Sequence, residues 1–240
     1  MAKAPKKTAP KKVAVKKAPA QKTPAKRACA MKTTVFEISE TLPAAWLKCF
    51  SKGDSNHPGF SFTRYWWDGV GPREGIVPWV VKKMRPGDDP EFGLAAKVEV
   101  LLPRTAPSDY AFPEFLLRRF DETLPPFEMH TMVQVKITLD PGEPWHVGYE
   151  RVRGYARTHF AERFPVILVA HVPGVAGLTG NGSHVHCIVL SRPLDINGLG
   201  GACHRLCSDK GYAEALAAWR AHLAGEEGLA DKEEVSHAGR

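Results

Sequence analysis

Two histidines near the C-terminal third of the chain have the spacing of a metal-ligand pair. His184 and His186 stand at the head of an apolar, β-prone run that ends at Leu190, and such a run predicts a strand. Residues i and i+2 of a strand point to the same face, so the two imidazoles should lie side by side. Neutral imidazole is the commonest side-chain metal ligand. The pair could therefore supply two ligands to one ion.

A third histidine is close enough in sequence to complete the set. His171 ends the preceding apolar run, FPVILVAH, and a loop containing Gly180 and Gly182 separates it from His184. If the two runs form neighbouring strands, the three imidazoles can converge. A His-x-His motif on a strand is by itself more often a pair of histidines that bind nothing. His171 and the glycine-rich loop favour the metal site over that alternative.

The chain begins with a strongly basic segment of low complexity. Residues 1–30 contain ten Lys or Arg and no acidic residue, whereas the other 210 residues contain 23 basic and 26 acidic ones. A Lys/Ala/Pro-rich segment cannot bury a core, so we predict a disordered tail. Its cations would bind nucleic-acid phosphates through counterion release. The alternatives are a solubilising leader and sequence upstream of a start at Met31. The candidate DNA-binding lysines are Lys6, Lys7, Lys11, Lys12, Lys16 and Lys17.

Composition narrows the class of protein. No apolar run approaches the roughly 20 residues of a membrane span, and the N-terminus lacks the apolar core of a secretory signal. Five cysteines, an odd number, indicate free thiols in a reducing compartment. We therefore expect a cytoplasmic protein, associated with the nucleoid or a plasmid. Cys203, His204 and Cys207 form a C-H-x-x-C motif that could be half of a zinc site, but no second pair follows, which favours free thiols.

Hydrophobic periodicity predicts a mixture of strands and helices without strict alternation. We expect an α+β fold over residues 31–224, an antiparallel sheet flanked by helices, followed by a polar, flexible tail at 225–240. The predicted strands are Thr33–Ile38, Phe60–Trp67, Lys97–Leu102, Met129–Leu139, Val166–His171 and His184–Ser191. The predicted helices are Leu42–Phe50, Tyr110–Leu124, Pro144–Phe164 and Asp209–Leu223.

This order of motifs resembles the MobA/MobL plasmid mobilisation relaxases. The similarity covers roughly residues 60–224 and lies in VEVLLPRTAPSDYAFPEFLLRR, VQVKITLDPGEP, ERVRGYARTHFAERF, PVILVAH, SHVHCIVLSR and YAEALAAWRAHLA. It implies a HUH-type fold with a three-histidine site for a divalent metal ion, Mg²⁺ or Mn²⁺. It also implies nicking of single-stranded DNA at an origin of transfer by a tyrosine nucleophile, with other mobilisation proteins as further partners.

By the same resemblance, His171, His184 and His186 are the metal ligands and Tyr65 is the catalytic nucleophile. The sequence departs from the family around that tyrosine, where FTRYWWDG replaces an Ala-rich helix, and on the strand of Gln134 and Lys136, where the family carries acidic residues.

The aromatic residues beside Tyr65 have two interpretations. Trp66 and Trp67 could stack on bases of single-stranded DNA, or all three rings could belong to a core cluster. Three functions follow for the whole chain. The first is a metal-dependent DNA strand transferase of plasmid mobilisation. The second is a catalytically inactive DNA-binding module of the same fold, accessory to mobilisation or replication. The third is a structural protein with an accidental His-x-His motif.

Overall fold

The computed structural model describes the backbone over residues 34–36, 47–54, 57–67, 76–85, 95–173 and 182–238. Side chains are described from 59 to 226 within these ranges. The basic segment, with its predicted disorder and its six candidate lysines, lies outside them. Among the described helices, none combines the length and the apolar character needed to span a membrane.

A seven-stranded sheet forms the centre of the fold, in the order β1-β2-β3-β5-β7-β6-β4. Every neighbouring pair of strands is antiparallel. The strands are β1 Thr34–Phe36, β2 Leu47–Asp54, β3 His57–Trp67, β4 Lys97–Leu101, β5 His130–Thr138, β6 Val166–His171 and β7 His184–Leu190. The predicted α+β fold with an antiparallel sheet is confirmed.

One predicted helix is wrong where the structure describes it. The prediction of helix over Leu42–Phe50 fails at residues 47–50, which belong to β2. Strand β2 pairs with the next strand, β3, from Leu47 opposite Trp67 to Lys52 opposite Phe62. The β-prone aromatic strand supplies backbone partners along this whole stretch, and such tertiary pairing overrides a weak local preference for helix.

The helices cover the two faces of the sheet. They are α1 Ile76–Met84, α2 Pro113–Thr123, α3 Trp145–His159 and α4 Asp209–Ala238. The last helix therefore continues beyond Leu223, where the sequence predicts its end. A short ribbon, β8 Leu194–Asp195 with β9 Gly198–Leu199, occupies part of the stretch predicted to be loop.

Side chains on the central strands alternate between two separate hydrophobic cores, one on each face of the sheet. Val166 and Leu168 pack in the core under α3 and α4. Ile167 and Val169 pack in the core under α1 and α2. All seven residues of β7 are buried, because helices lie on both faces of the sheet. This two-sided burial explains why β6 and β7 appear in the sequence as continuous apolar runs rather than as alternating ones.

Candidate metal centre

The register of β6 and β7 brings the three histidines together. His171 lies opposite His184, and Val169 lies opposite His186. The three imidazole rings project from the face that α1 and α2 cover. Their centroids are 4.7 to 5.0 Å apart, and one nitrogen from each ring lies within 4.8 Å of the others. The predicted convergence is confirmed; their role as ligands stays a prediction.

Main-chain carbonyls fix which nitrogen of two imidazoles carries the proton. His171 Nε2 lies 2.6 Å from the Lys83 carbonyl oxygen, and His184 Nδ1 lies 2.9 Å from that of Gly182. A carbonyl only accepts, so both nitrogens donate. The lone pairs of neutral rings are then on His171 Nδ1 and His184 Nε2, which are 3.2 Å apart. Two lone pairs at this distance repel each other unless a cation lies between them.

His186 adds an unsatisfied nitrogen to the same cluster. The side chain is 3% exposed, and its Nδ1 is buried without a hydrogen-bond partner. Such an atom destabilises the fold by about 1–3 kcal/mol unless something binds it. Together with the facing lone pairs, it shows that these residues fit a metal ion, which imidazole nitrogens bind at about 2.0–2.1 Å. The cluster could therefore hold a metal ion.

The electrostatic environment keeps the imidazoles neutral. Burial, and then the charge of Lys136, lower the pKa of His184 to about 4. Burial also lowers the pKa of His186 well below its usual value, with Lys83 the next cause, and the pKa of His171 falls for the same main reason. Neutral imidazole is the form that binds metals, so the cluster is ready to do so at pH 7.

We expect metal affinity at this cluster to fall less on mild acidification than it would at histidines of ordinary pKa. Three histidines of ordinary pKa, about 6.5, would lose roughly 1,000-fold in affinity between pH 7.5 and pH 5.5, because protons compete at each ligand. Here the pKa of His184 is lowered to about 4 and the pKa values of His171 and His186 are also lowered, so protons compete less and the loss should stay below about 100-fold. Titration of Mn²⁺ by calorimetry at the two pH values measures the difference. A loss near 1,000-fold would contradict the pKa shifts.

The structure does not bring Tyr65 next to the histidines. Tyr65 pairs with Met132, which pairs with Leu190, and Leu190 is four residues beyond His186 on β7. Four strand residues span about 13 Å. The Tyr65 side chain is 6% exposed, and its ring meets the edge of Trp79 with centroids 4.8 Å apart. Its role as nucleophile stays a prediction.

The two tryptophans after Tyr65 have different environments. Trp67 is 2% exposed and belongs to the core under α1 and α2, so the structure favours the core interpretation for this ring. Trp66 is partly exposed and lines a cavity of about 330 Å³ with Arg64 and His130. Only Trp66 of the pair therefore presents a surface to a ligand.

The sequence does not mark two lysines that lie near the histidines. The Lys83 carbonyl oxygen accepts a hydrogen bond from His171, which lies 88 residues away in sequence. The charged side chains of Lys83 and Lys136 lower the pKa of all three imidazoles. Lys136 appears in the sequence only as a departure from a family pattern. No local signal marks Lys83, because its position depends on how α1 packs against the sheet.

Comparison with known proteins adds little to this geometry. No family model and no curated protein matches the sequence. The chain is similar to a solved structure described as the molecular basis of vancomycin resistance transfer in Staphylococcus aureus. The sequences are 17% identical over 55% of this chain and 71% of that one, with a TM-score of 0.46. A likeness of this degree carries no conclusion about function.

Proposed function

We propose that this protein is a relaxase-like DNA strand transferase of plasmid mobilisation. It would act in the cytoplasm, on single-stranded DNA at an origin of transfer and beside other mobilisation proteins. The observation that carries the proposal is the histidine cluster. His171 and His184 turn their lone pairs toward each other at 3.2 Å, their outer nitrogens are held by main-chain carbonyls, and His186 is beside them with a buried, unpartnered nitrogen.

The chain's own residues suit a phosphodiester substrate. A divalent ion, when bound, would polarise the phosphate and stabilise the charge that develops during cleavage. Lys136 lies opposite His186 in the sheet, and the Lys83 ammonium is also close enough to lower the pKa of that histidine. Both cations would attract the phosphate to the cluster. Imidazole donors suit transition ions better than Mg²⁺, which prefers oxygen, so Mn²⁺ is the better of the two predicted ions.

The proposed reaction joins DNA covalently to the protein. The tyrosine oxygen forms a bond to phosphorus, the bond from phosphorus to the 3′-oxygen breaks, and the phenolic proton ends on the released 3′-hydroxyl. The product is a 5′-phosphotyrosyl link. Tyr65 is the proposed nucleophile. To reach the cluster it would have to leave its contact with Trp79, which makes a rearrangement of α1 or of β3 part of the proposal.

Tyr65→Phe tests this assignment. A single-stranded oligonucleotide carrying the origin of transfer, with Mn²⁺, should give a covalent adduct with the natural chain and none with Tyr65→Phe. DNA binding should change less than about threefold, because the substitution removes one hydroxyl and keeps the ring. Adduct is measured by denaturing gel and mass spectrometry, and binding by fluorescence anisotropy. An adduct that persists in Tyr65→Phe refutes Tyr65 as the nucleophile.

A catalytically inactive DNA-binding module is the second candidate. The packing of Tyr65 against Trp79 favours it, as does the presence of Gln134 and Lys136 where the family carries acids. The two candidates differ in one measurement. The inactive module would give no adduct with any strand or ion, and its DNA binding would survive removal of metal by a chelator.

The basic segment is proposed to strengthen DNA binding without sequence preference. Its ten cations could each release counterions from the DNA, so the logarithm of affinity should fall more steeply with the logarithm of salt concentration for the full chain. The matched comparison is a shortened chain that starts at Met31. Each phosphate contact adds about 0.7 to the slope on single strands. Equal slopes for the two chains would refute the role.

A further inference from the structure

A second cluster of potential metal ligands lies at the other end of the sheet. Glu128, His130 and His204 each offer one donor atom, and these atoms lie within 4.8 Å of one another. His130 is the first residue of β5. Lys136, six residues further along this strand, lies opposite His186. Six strand residues span about 20 Å. The second cluster is therefore separate from the histidine cluster on β6 and β7.

An irregularity in the sheet directs His130 toward this cluster. Tyr65 pairs with Met132 but Trp66 pairs with His130, so β5 carries one extra residue, Thr131. A bulge of this kind bends a strand and re-aims its side chains. The Thr131 hydroxyl donates a hydrogen bond of 2.8 Å to the Tyr65 carbonyl, which holds the bulge in place. His130 and Trp66 then line the same cavity.

His204 reaches the cluster from the turn that precedes α4. The Cys203 N–H donates to the Ser191 carbonyl at 2.7 Å, and the Leu206 N–H donates to the Cys203 carbonyl at 3.0 Å. These bonds anchor the turn to the end of β7 and place the His204 imidazole near that of His130, with ring centroids 4.6 Å apart. The position of His204 is thus set by the backbone.

Glu128 connects the two imidazoles. Its side chain is buried, with 8% exposure. One carboxylate oxygen accepts a hydrogen bond from the main-chain N–H of His130 at 2.8 Å, and the same oxygen lies 3.0 Å from His130 Nδ1. The other oxygen lies 2.8 Å from His204 Nε2. Adjacent ligands of one ion at about 2.1 Å are separated by about 3 Å, so both distances also suit shared coordination.

We propose that Glu128, His130 and His204 form a second site, which binds a divalent first-row transition-metal ion. Two histidines and one carboxylate on one side of an ion, with its other positions open, are a donor set that iron and zinc sites use. The His204 side chain is 66% exposed, so solvent can reach the cluster at this residue. Space for further ligands lies in the adjoining cavity of about 330 Å³.

The second site explains a motif that the sequence leaves incomplete. Cys203-His204-x-x-Cys207 resembles half of a zinc site without a second half. The structure supplies the missing ligands from Glu128 and His130, more than 70 residues earlier in the chain. The thiols of Cys203 and Cys207 are not among the converging donor atoms. The histidine of the motif, rather than its cysteines, then belongs to the metal site.

Counting bound ions tests the proposal on the full chain. Equilibrium dialysis against Co²⁺, with visible absorption to report coordination, should show one ion fewer in His204→Ala than in the natural chain. The exposed position of His204 makes this substitution compatible with folding. Glu128→Gln keeps the shape of the side chain but removes its charge, so it should lower the affinity for that same ion by at least tenfold. The matched control is His146→Ala on the exposed side of α3, which should leave the count unchanged.

The variant His184→Ala distinguishes ion binding at this site from ion binding at the histidine cluster. If both sites bind an ion, His184→Ala and His204→Ala each lose one ion and the double variant loses two. An ion that His204→Ala loses and His184→Ala keeps supports the second site even if the histidine cluster binds no ion. If His204→Ala binds as many ions as the natural chain, Glu128 only receives hydrogen bonds from the two imidazoles, and the proposal is refuted.

Discussion

Replacing His184 with alanine should abolish the proposed metal-dependent cleavage of single-stranded DNA. The substitution removes the Nε2 atom that faces His171 Nδ1 at 3.2 Å and leaves two imidazoles where three converge. Loss of an outer-shell partner typically weakens metal binding 10- to 100-fold, and loss of a direct ligand should weaken it more. Without an ion, the proposed cleavage would lack the charge stabilisation that a divalent metal ion supplies. We expect adduct formation to fall below detection.

The same substitution should have little effect on folding. His184 is the first residue of β7, and alanine keeps the backbone pairing with His171 and Thr138. The change also removes a buried imidazole whose pKa is lowered to about 4. Such a group is protonated more readily in the unfolded chain, so it reduces stability as the pH falls from about 6.5 toward 4.

Three measurements make the His184→Ala result decisive. Calorimetry reports the loss of the ion, a denaturing gel reports the loss of adduct, and anisotropy should show that DNA binding is retained. His146→Ala is again the control, because it removes an exposed histidine of α3 and leaves the cluster intact. Cleavage that continues in His184→Ala at the rate of the natural chain would refute a catalytic role for the histidine cluster.

Replacing Tyr155 with alanine should destabilise the fold by about 3–5 kcal/mol, the range for large aromatic residues in a core. The Tyr155 side chain is 1% exposed. Its ring packs edge-on against Trp219, with centroids 5.2 Å apart, and its hydroxyl donates a 2.9 Å hydrogen bond to the Ala215 carbonyl. Tyr155 therefore connects α3 to α4, and alanine would leave a cavity between them. Urea denaturation followed by tryptophan fluorescence measures the loss.

Tyr155→Phe distinguishes a packing role of the Tyr155 ring from a role of its hydroxyl in the proposed cleavage. It keeps the ring and removes one hydrogen bond, so the free energy of unfolding should fall by only about 1 kcal/mol. Tyr155 belongs to the core under α3 and α4, whereas the histidines project from the opposite face of the sheet. Burial also raises the pKa of this phenol well above its usual value. Adduct formation should therefore be unchanged, and its loss in Tyr155→Phe would contradict the placement.

The sequence by itself predicts the features that depend on neighbouring residues. His184 and His186 share a face because a strand repeats every two residues. The continuous apolar runs before His171 and after His184 indicate strands buried on both sides. The helical periodicity of Tyr110–Leu124 and Pro144–Phe164 likewise predicts α2 and α3, although each helix ends earlier than expected.

The tertiary structure decided what depends on residues far apart in the chain. It pairs residues 47–50 with β3 in place of the predicted helix, and it brings the Lys83 carbonyl to His171 across 88 residues. It packs the Tyr65 ring on Trp79, and it joins His204 to Glu128 across 76 residues. Local periodicity follows from backbone geometry, which every short segment carries within itself. Strand register, a bulge at Thr131 and the packing of α1 follow from the free energy of the whole fold, so no single segment specifies them.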